Sequence, residues 1–237
     1  PKMIIFDYAQ TLVDEKSFDV LKGTEAVLRH ATNNPYNVTS EEVFTLSNEL
    51  FEETVRYKDQ STLEVHTHLF QNYLYEYFGI EFAKSPKEIE RIFENAASTA
   101  EPTKGIEVFL QFLYRKGIRS SVISNISFSG SMLNERINRY IPLHKFEFVI
   151  ASSEYVFRKP HKRIFELALR KARLEPHQVW YCGDNAICDV DGAANCGIFP
   201  IWYKGALGRI DTYVPKSDCL EVKDWNELLE LLGKNKG

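Results

Sequence analysis

Four places in this sequence carry residues suited to phosphate and a divalent cation, and each falls where an apolar run ends or a helix begins. Met3-Ile4-Ile5-Phe6 stops at Asp7, with Thr11 four residues on, and a run through Val122 and Ile123 stops at Ser124-Asn125. Lys159 precedes Pro160 at the start of a helical stretch, and the run Val179–Cys182 leads into Gly183-Asp184, with Asp189 five residues on. An oxygen-only group of carboxylates suits Mg²⁺, which binds through one or two carboxylates plus waters and substrate phosphate. A lysine and a hydroxyl beside it would hold phosphate oxygens. The cation would offset the repulsion between an anionic nucleophile and an anionic substrate. Aspartate as phosphoryl acceptor is a known form of covalent catalysis.

For that chemistry the four places must meet, and the patterning of the chain says how. After Pro102, strands and helices alternate. A helix over 106–116 stops at Gly117, then come strand 119–124, helix 133–140, strand 146–151, helix 161–172, strand 179–182, helix 189–196, strand 198–203 and a closing helix 225–232. Such alternation indicates parallel βαβ units. From about 18 to 98 the apolar residues instead recur three and four apart, as through Val43, Leu46 and Leu50, and the segment reads as almost wholly helical. One strand followed only by helices makes no sheet, so the first strand belongs with the later block. The expected architecture is α/β: a doubly wound parallel sheet in a Rossmann-like core made of residues 1–14 and 100–237, with a helical domain, 15–99, inserted after strand one. Ligands in such sheets sit at the carboxyl ends of the strands, where the candidate residues fall.

Composition removes other classes. With 44% hydrophobic residues and a net charge of −4 over 237 residues, the chain is neither disordered nor suited to nucleic acid over its surface. No apolar run approaches the ~18–20 residues needed to span a bilayer, and the first residues lack the apolar stretch of a secretory signal. Cys182, Cys188, Cys196 and Cys219 lack paired CxxC spacing, so reduced thiols in a cytoplasmic protein are expected rather than disulfides or zinc. His66 and His68, two apart, would lie on different faces of a helix. Tyr73, Tyr75 and Tyr77 read as packing residues, and Asp191 as an exposed helix position outside the site.

Read in order, four segments resemble the four motifs of the haloacid dehalogenase superfamily of phosphohydrolases. They are Ile4-Ile5-Phe6-Asp7-Tyr8-Ala9-Gln10-Thr11-Leu12, Ile123-Ser124-Asn125, Arg158-Lys159-Pro160, and Gly183-Asp184 through Asp189-Val190-Asp191-Gly192-Ala193. The resemblance spans essentially the whole chain and implies that the helical stretch is the family's cap. It implies Asp7 as the nucleophile forming an aspartyl-phosphate, and Ser124 as the phosphoryl-binding hydroxyl, with Thr11 and Asn125 beside the phosphate. Lys159 would stabilise nucleophile and phosphate. Asp7, the backbone carbonyl of Ala9 and Asp184 would hold Mg²⁺, with Asp189 supporting that shell, and the substrate would be a small phosphorylated molecule.

One departure bears on mechanism. Phosphatases of this family normally carry a second aspartate two residues after the nucleophile, as general acid and base; here that residue is Ala9, and the glycine that follows is Gln10. General acid–base catalysis contributes roughly 10²–10⁴-fold, and a methyl group cannot protonate a leaving alkoxide. Tyr8 would point to the other face by strand alternation. Three readings follow. The first is a hydrolase of acyl or aryl phosphates, whose leaving groups need no proton. The second is a likeness to phosphonoacetaldehyde hydrolases, which also carry alanine here and use a cap lysine as a Schiff base, with Lys22 and Lys58 as candidates. The third is a binding or regulatory protein that kept the pocket. The dehalogenase branch also lacks the second aspartate but works without metal, and Gly183-Asp184 with Asp189 points away from it.

Overall fold

The computed structural model describes residues 1–205 and 213–234. The strands in chain order are β1 (Met3–Phe6), β2 (Val13–Phe18), β3 (Ala31–Asn33), β4 (Glu81–Phe82), β5 (Ser98–Pro102), β6 (Arg119–Ser124), β7 (Val149–Ala151), β8 (Val179–Gly183), β9 (Phe199–Tyr203) and β10 (Leu220–Val222). The helices are α1 (Val20–Leu28), α2 (Ser40–Ser61), α3 (Thr67–Tyr77), α4 (Pro86–Ala97), α5 (Ile106–Arg115), α6 (Gly130–Tyr140), α7 (Lys162–Ala172), α8 (Gly192–Ala194) and α9 (Trp225–Lys234).

Six strands form a parallel sheet in the order β10-β9-β8-β1-β6-β7. All four residues of β1 are fully buried, as expected of a parallel strand covered on both faces. Its alternate side chains feed two layers. Ile4 and Phe6 join the cluster built with α5, α6 and α9, where Trp225 stacks on Phe109 (5.2 Å) and Tyr203 (4.2 Å). Met3 and Ile5 join Ile164 and Phe165 of α7 on the other face. Phe6 lies opposite Val122 of β6 and Cys182 of β8, so the ends of β6 and β8 flank the end of β1. The strand order reverses at β1, which opens a crevice at its carboxyl end.

The stretch from 18 to 98 is less uniformly helical than its periodicity suggests. The two places where the chain leaves and re-enters the sheet region, β2 and β5, lie side by side as an antiparallel ribbon, and β3 pairs with β4. Adjacent extended segments satisfy each other's backbone groups, and a helical period cannot report a pairing with residues some 80 positions away. The helices between them have a core of their own, with Val27, Val43, Leu74 and Ile89 buried. Capping boxes start α2 (Thr39 with Glu42) and α4 (Ser85 with Glu88, with Pro86 in the first turn).

Polar ties join α4 to α6. Arg91 pairs with Glu135, the buried Glu90 accepts hydrogen bonds from the Ser129 amide and hydroxyl, and Arg136 reaches both Glu15 and the fully buried Glu94. The Arg136 guanidinium also lies 5.4 Å from the centre of the Tyr8 ring. Tyr8 is thus packed in the cluster that holds Phe6, away from the crevice, as strand alternation predicts.

Boundaries shift elsewhere. The strand expected over 146–151 is only Val149–Ala151, and the helix expected from Leu133 starts at Gly130 because Ser129 caps it. The expected helix 189–196 is a π-helical turn, Ala186–Asp191, followed by the short α8. Asn185 causes this: its side chain accepts from the Ile187 and Cys188 amides, and its carbonyl accepts from Val190 five residues on. Such single wide turns are frequent at functional sites.

Candidate active site

Asp7 is the first residue beyond β1, held at the strand end by its amide, which donates to the Cys182 carbonyl (2.9 Å). The chain then turns sharply. The Leu12 and Val13 amides donate to the Tyr8 carbonyl and the Gln10 amide to that of Val13, so these bonds leave the Ala9 carbonyl out of the turn's internal pairing. Gln10 holds a left-handed φ of 59°, a conformation natural to the glycine it replaces in the family motif.

Lys159 is the hub. Its ammonium donates to Asp7 Oδ1 (2.6 Å), Asp189 Oδ1 (2.6 Å) and the Tyr181 hydroxyl (2.7 Å), which uses all three of its protons. Its backbone is clamped by the Asn125 side chain, which donates to the Lys159 carbonyl (2.8 Å) and accepts from the Lys159 amide (2.7 Å). A cis peptide joins Lys159 to Pro160. Asp189 is fixed on both oxygens: Oδ1 also receives the Tyr181 hydroxyl (3.1 Å), and Oδ2 the Asn185 amide (2.9 Å). Sequence reasoning did not single out Tyr181. The available signal was a phenol in the middle of a strand buried but for Trp180, where its hydroxyl must find a polar partner.

Gly183 makes room for this arrangement. A Cβ there would lie 2.4 Å from Asp189 Cγ, so Asp189 could not keep its place beside any larger residue. Gly183→Ala is expected to lose about 1–3 kcal/mol of stability through overpacking and to displace Asp189 from Lys159. Thermal denaturation reads the loss, and an unchanged midpoint would contradict the packing described.

Oxygens of Asp7, Asp184 and Asp189 lie within 4.8 Å of one another, all three residues buried. Three carboxylates against one ammonium give the cluster a formal charge of −2. Burial chiefly, with help from Asp189 and Asp184 and against the pull of Lys159, pushes the Asp7 carboxyl up to about 7. Burial alone would pull the Lys159 ammonium down, but Asp189 and Asp7 more than reverse that and hold it above the usual lysine range. An excess of buried negative charge built only from oxygen fits a hard divalent cation such as Mg²⁺. Asp7 and Asp184 could hold such an ion, and Asp189, engaged on both oxygens, pairs with Lys159.

The other expected residues fall as follows. Ser124 ends β6, buried, one residue beyond the level of Asp7 on the neighbouring strand. Thr11 is fully buried in the turn after Asp7. Its hydroxyl has no hydrogen-bond partner among the described residues. Asn125 meets the Lys159 backbone with both ends of its amide. Lys22 is exposed on α1, whereas Lys58 is buried, 3.3 Å from Glu64 and donating to Ser127 (3.1 Å). The His66 and His68 rings lie 4.4 Å apart rather than on separate faces, because His66 caps α3 from outside it. Asp191 accepts from the Lys216 and Ser217 amides, and the four cysteines are free thiols. Tyr75 is buried in the helical core, while Tyr73 and Tyr77 are exposed and stack on each other.

Known proteins share this plan. A glyceraldehyde 3-phosphate phosphatase from Methanothermobacter thermautotrophicus is 28% identical, with 98% of this chain and 99% of that protein aligned. One from Pyrococcus furiosus is 26% identical, over 100% of this chain and 95% of that protein. In fold, the chain resembles a 2-haloacid dehalogenase from Pseudomonas syringae (TM-score 0.64, 20% identity, 98% of each chain) and a phosphatase from Thermococcus onnurineus (TM-score 0.57, 16% identity, 100% of each chain). The sequence profile of the haloacid dehalogenase-like hydrolases matches residues 4–203, from the strand that delivers Asp7 to the last residue of β9. With that match running through every element that positions the cluster, the chain belongs to the haloacid dehalogenase-like hydrolases.

Proposed function

We propose that the protein is a Mg²⁺-dependent phosphatase that hydrolyses a small phosphorylated molecule through an aspartyl-phosphate on Asp7. The observation that carries this reading is the ammonium of Lys159 shared between Asp7 and Asp189, which holds one oxygen of Asp7 and leaves Oδ2 without a hydrogen bond among the described residues. Oδ2 attacks phosphorus, the leaving oxygen departs with its electron pair, and water then hydrolyses the aspartyl-phosphate. Lys159 balances charge on the nucleophile and the transferring group, Tyr181 and Asn125 keep it in place, and Ser124 binds a phosphoryl oxygen. Mg²⁺, held by Asp7, Asp184 and the Ala9 carbonyl, would neutralise phosphate charge. The helices of residues 15–99 act as a cap over the crevice. No helix among the described residues is long and apolar enough to cross a membrane. A cytoplasmic site of action is part of the same proposal.

The Asp7 carboxyl gives a pH test. Protons compete with the cation for a carboxylate that titrates near 7. At pH 6 about a tenth of Asp7 is ionised and at pH 8 about nine-tenths, so Mg²⁺ is expected to bind about tenfold more tightly at pH 8. Calorimetric titration measures this directly, and equal affinities at the two pH values would contradict the assignment of Asp7 as a ligand.

A further inference from the structure

A chamber of about 420 Å³ lies between α1–α4 and the loop that follows β6, the strand whose end flanks that of β1. Much of its wall is aromatic: Phe18, Phe51, Phe70, Tyr75, Phe93 and Phe128. Three of these rings come from β2, α4 and the loop, yet converge, with centres 6.0 Å (Phe18–Phe93), 6.3 Å (Phe18–Phe128) and 6.3 Å (Phe93–Phe128) apart. Asn125, which clamps Lys159, stands in the same wall, so the chamber begins one residue past Ser124. The size and lining are those of a small-molecule site.

Some polar groups in the wall are engaged within the protein: the Thr24 hydroxyl donates to Val20, Ser127 meets Lys58 and Glu64, and Asn125 meets Lys159. Gln71 is buried, and its Oε1 has no hydrogen-bond partner. The lining as a whole is mainly apolar, which suits a short polyhydroxylated leaving group poorly. A ring would instead meet the edges and faces of other rings, with the Gln71 amide open to a polar substituent.

Ala9 constrains the same leaving group from the side of chemistry. With a methyl where an acid would stand, the departing oxygen must leave unprotonated. A phenol ionises near ~10, whereas an alkoxide is about as basic as hydroxide, whose parent water ionises near ~15.7. A phenolate departs far more readily.

We propose that the substrate is an aryl phosphate, its ring in this chamber and its phosphate at Asp7. The proposal rests on the phosphatase reading above. Asp7 Oδ2 forms the new bond to phosphorus while the bond from phosphorus to the aryl oxygen breaks, its electron pair leaving on the phenolate. Water then attacks the aspartyl-phosphate, releasing inorganic phosphate and restoring the carboxylate, and the phenolate takes a proton from solvent.

The test compares phenyl phosphate, acetyl phosphate and glyceraldehyde 3-phosphate as substrates with Mg²⁺, and phenylphosphonate against methylphosphonate as ligands. The expected result is a kcat/KM for phenyl phosphate at least a hundredfold above that for glyceraldehyde 3-phosphate, and phenylphosphonate binding at least tenfold tighter than methylphosphonate. In Ser47→Trp, which pushes a large side chain into the chamber from α2, the ratio of phenyl to acetyl phosphate turnover falls at least tenfold. Should that variant not fold, the wild-type comparisons decide alone. Glyceraldehyde 3-phosphate turned over as fast as phenyl phosphate, or equal affinity for the two phosphonates, overturns the proposal while leaving a phosphatase. No phosphate release from any substrate, with phenylphosphonate still preferred, overturns the phosphatase reading and leaves the chamber as an aryl site.

Discussion

Asp7→Asn loses phosphate release from acetyl phosphate by at least about 10⁴-fold, the scale seen when a covalent nucleophile is removed, yet it stays folded. An amide of the same shape can still accept from Lys159 at the oxygen now 2.6 Å away, and Asp189 still pairs with the ammonium at 2.6 Å. The stability of the metal-free variant is expected to rise. In the folded protein burial lifts the Asp7 carboxyl from 3.8 to about 7. Below about pH 3 the group is protonated in both states and contributes nothing. As pH rises from about 3 to 7, the unfolded chain ionises first, and folding is progressively disfavoured. At pH 8 the whole penalty is present, so without Mg²⁺ Asp7→Asn should exceed wild type there by on the order of 1–4 kcal/mol, the difference vanishing at about pH 3. Denaturation curves at the two pH values measure it. A variant that retains turnover, or that is less stable than wild type at pH 8, would contradict this account of Asp7.

Ala9→Asp gains turnover of alkyl phosphates by about 10²–10⁴-fold, the contribution of a positioned general acid and base. Residue 9 is half-buried, two residues past the nucleophile, in a turn whose backbone is already pinned by the Gln10, Leu12 and Val13 amides. A carboxyl there needs no change of backbone. The gain should be largest for the poorest leaving groups and small for acetyl phosphate, which departs without a proton. Steady-state rates on a matched set of phosphates measure the trend. A uniform change across leaving groups would show that Ala9 does not stand where the departing oxygen is protonated.

The parallel sheet was legible because β1, β8 and the Val122-Ile123 pair of β6 are short apolar runs that end in polar residues, as burial on both faces requires. Asp7 was legible because it follows directly from a strand end and Lys159 because it stands before a proline at the start of a helical stretch, whereas Asp189 was marked only by its spacing of five residues from Asp184. Tyr181 was not, because its value lies in a contact with Lys159 twenty-two positions away in sequence. The π-helical turn that carries Asp189 was read as an ordinary helix, since its cause is a side-chain cap by Asn185 rather than a period. The β2–β5 ribbon was hidden by the same limit of local patterning, as its partners are joined only through the helices between them. Nor could periodicity show that Phe18, Phe93 and Phe128 meet, because each belongs to a different element.

Phosphorylation of Asp7 is the step on which the proposed mechanism turns. Protein mixed with Mg²⁺ and acetyl phosphate, quenched, treated with hydroxylamine to capture an acyl phosphate, and mapped by peptide mass spectrometry tests this directly. Modification at Asp7 in the wild type, and none in Asp7→Asn, is the predicted result. Phosphate release with Asp7 unmodified, or with another residue modified in its place, would contradict it.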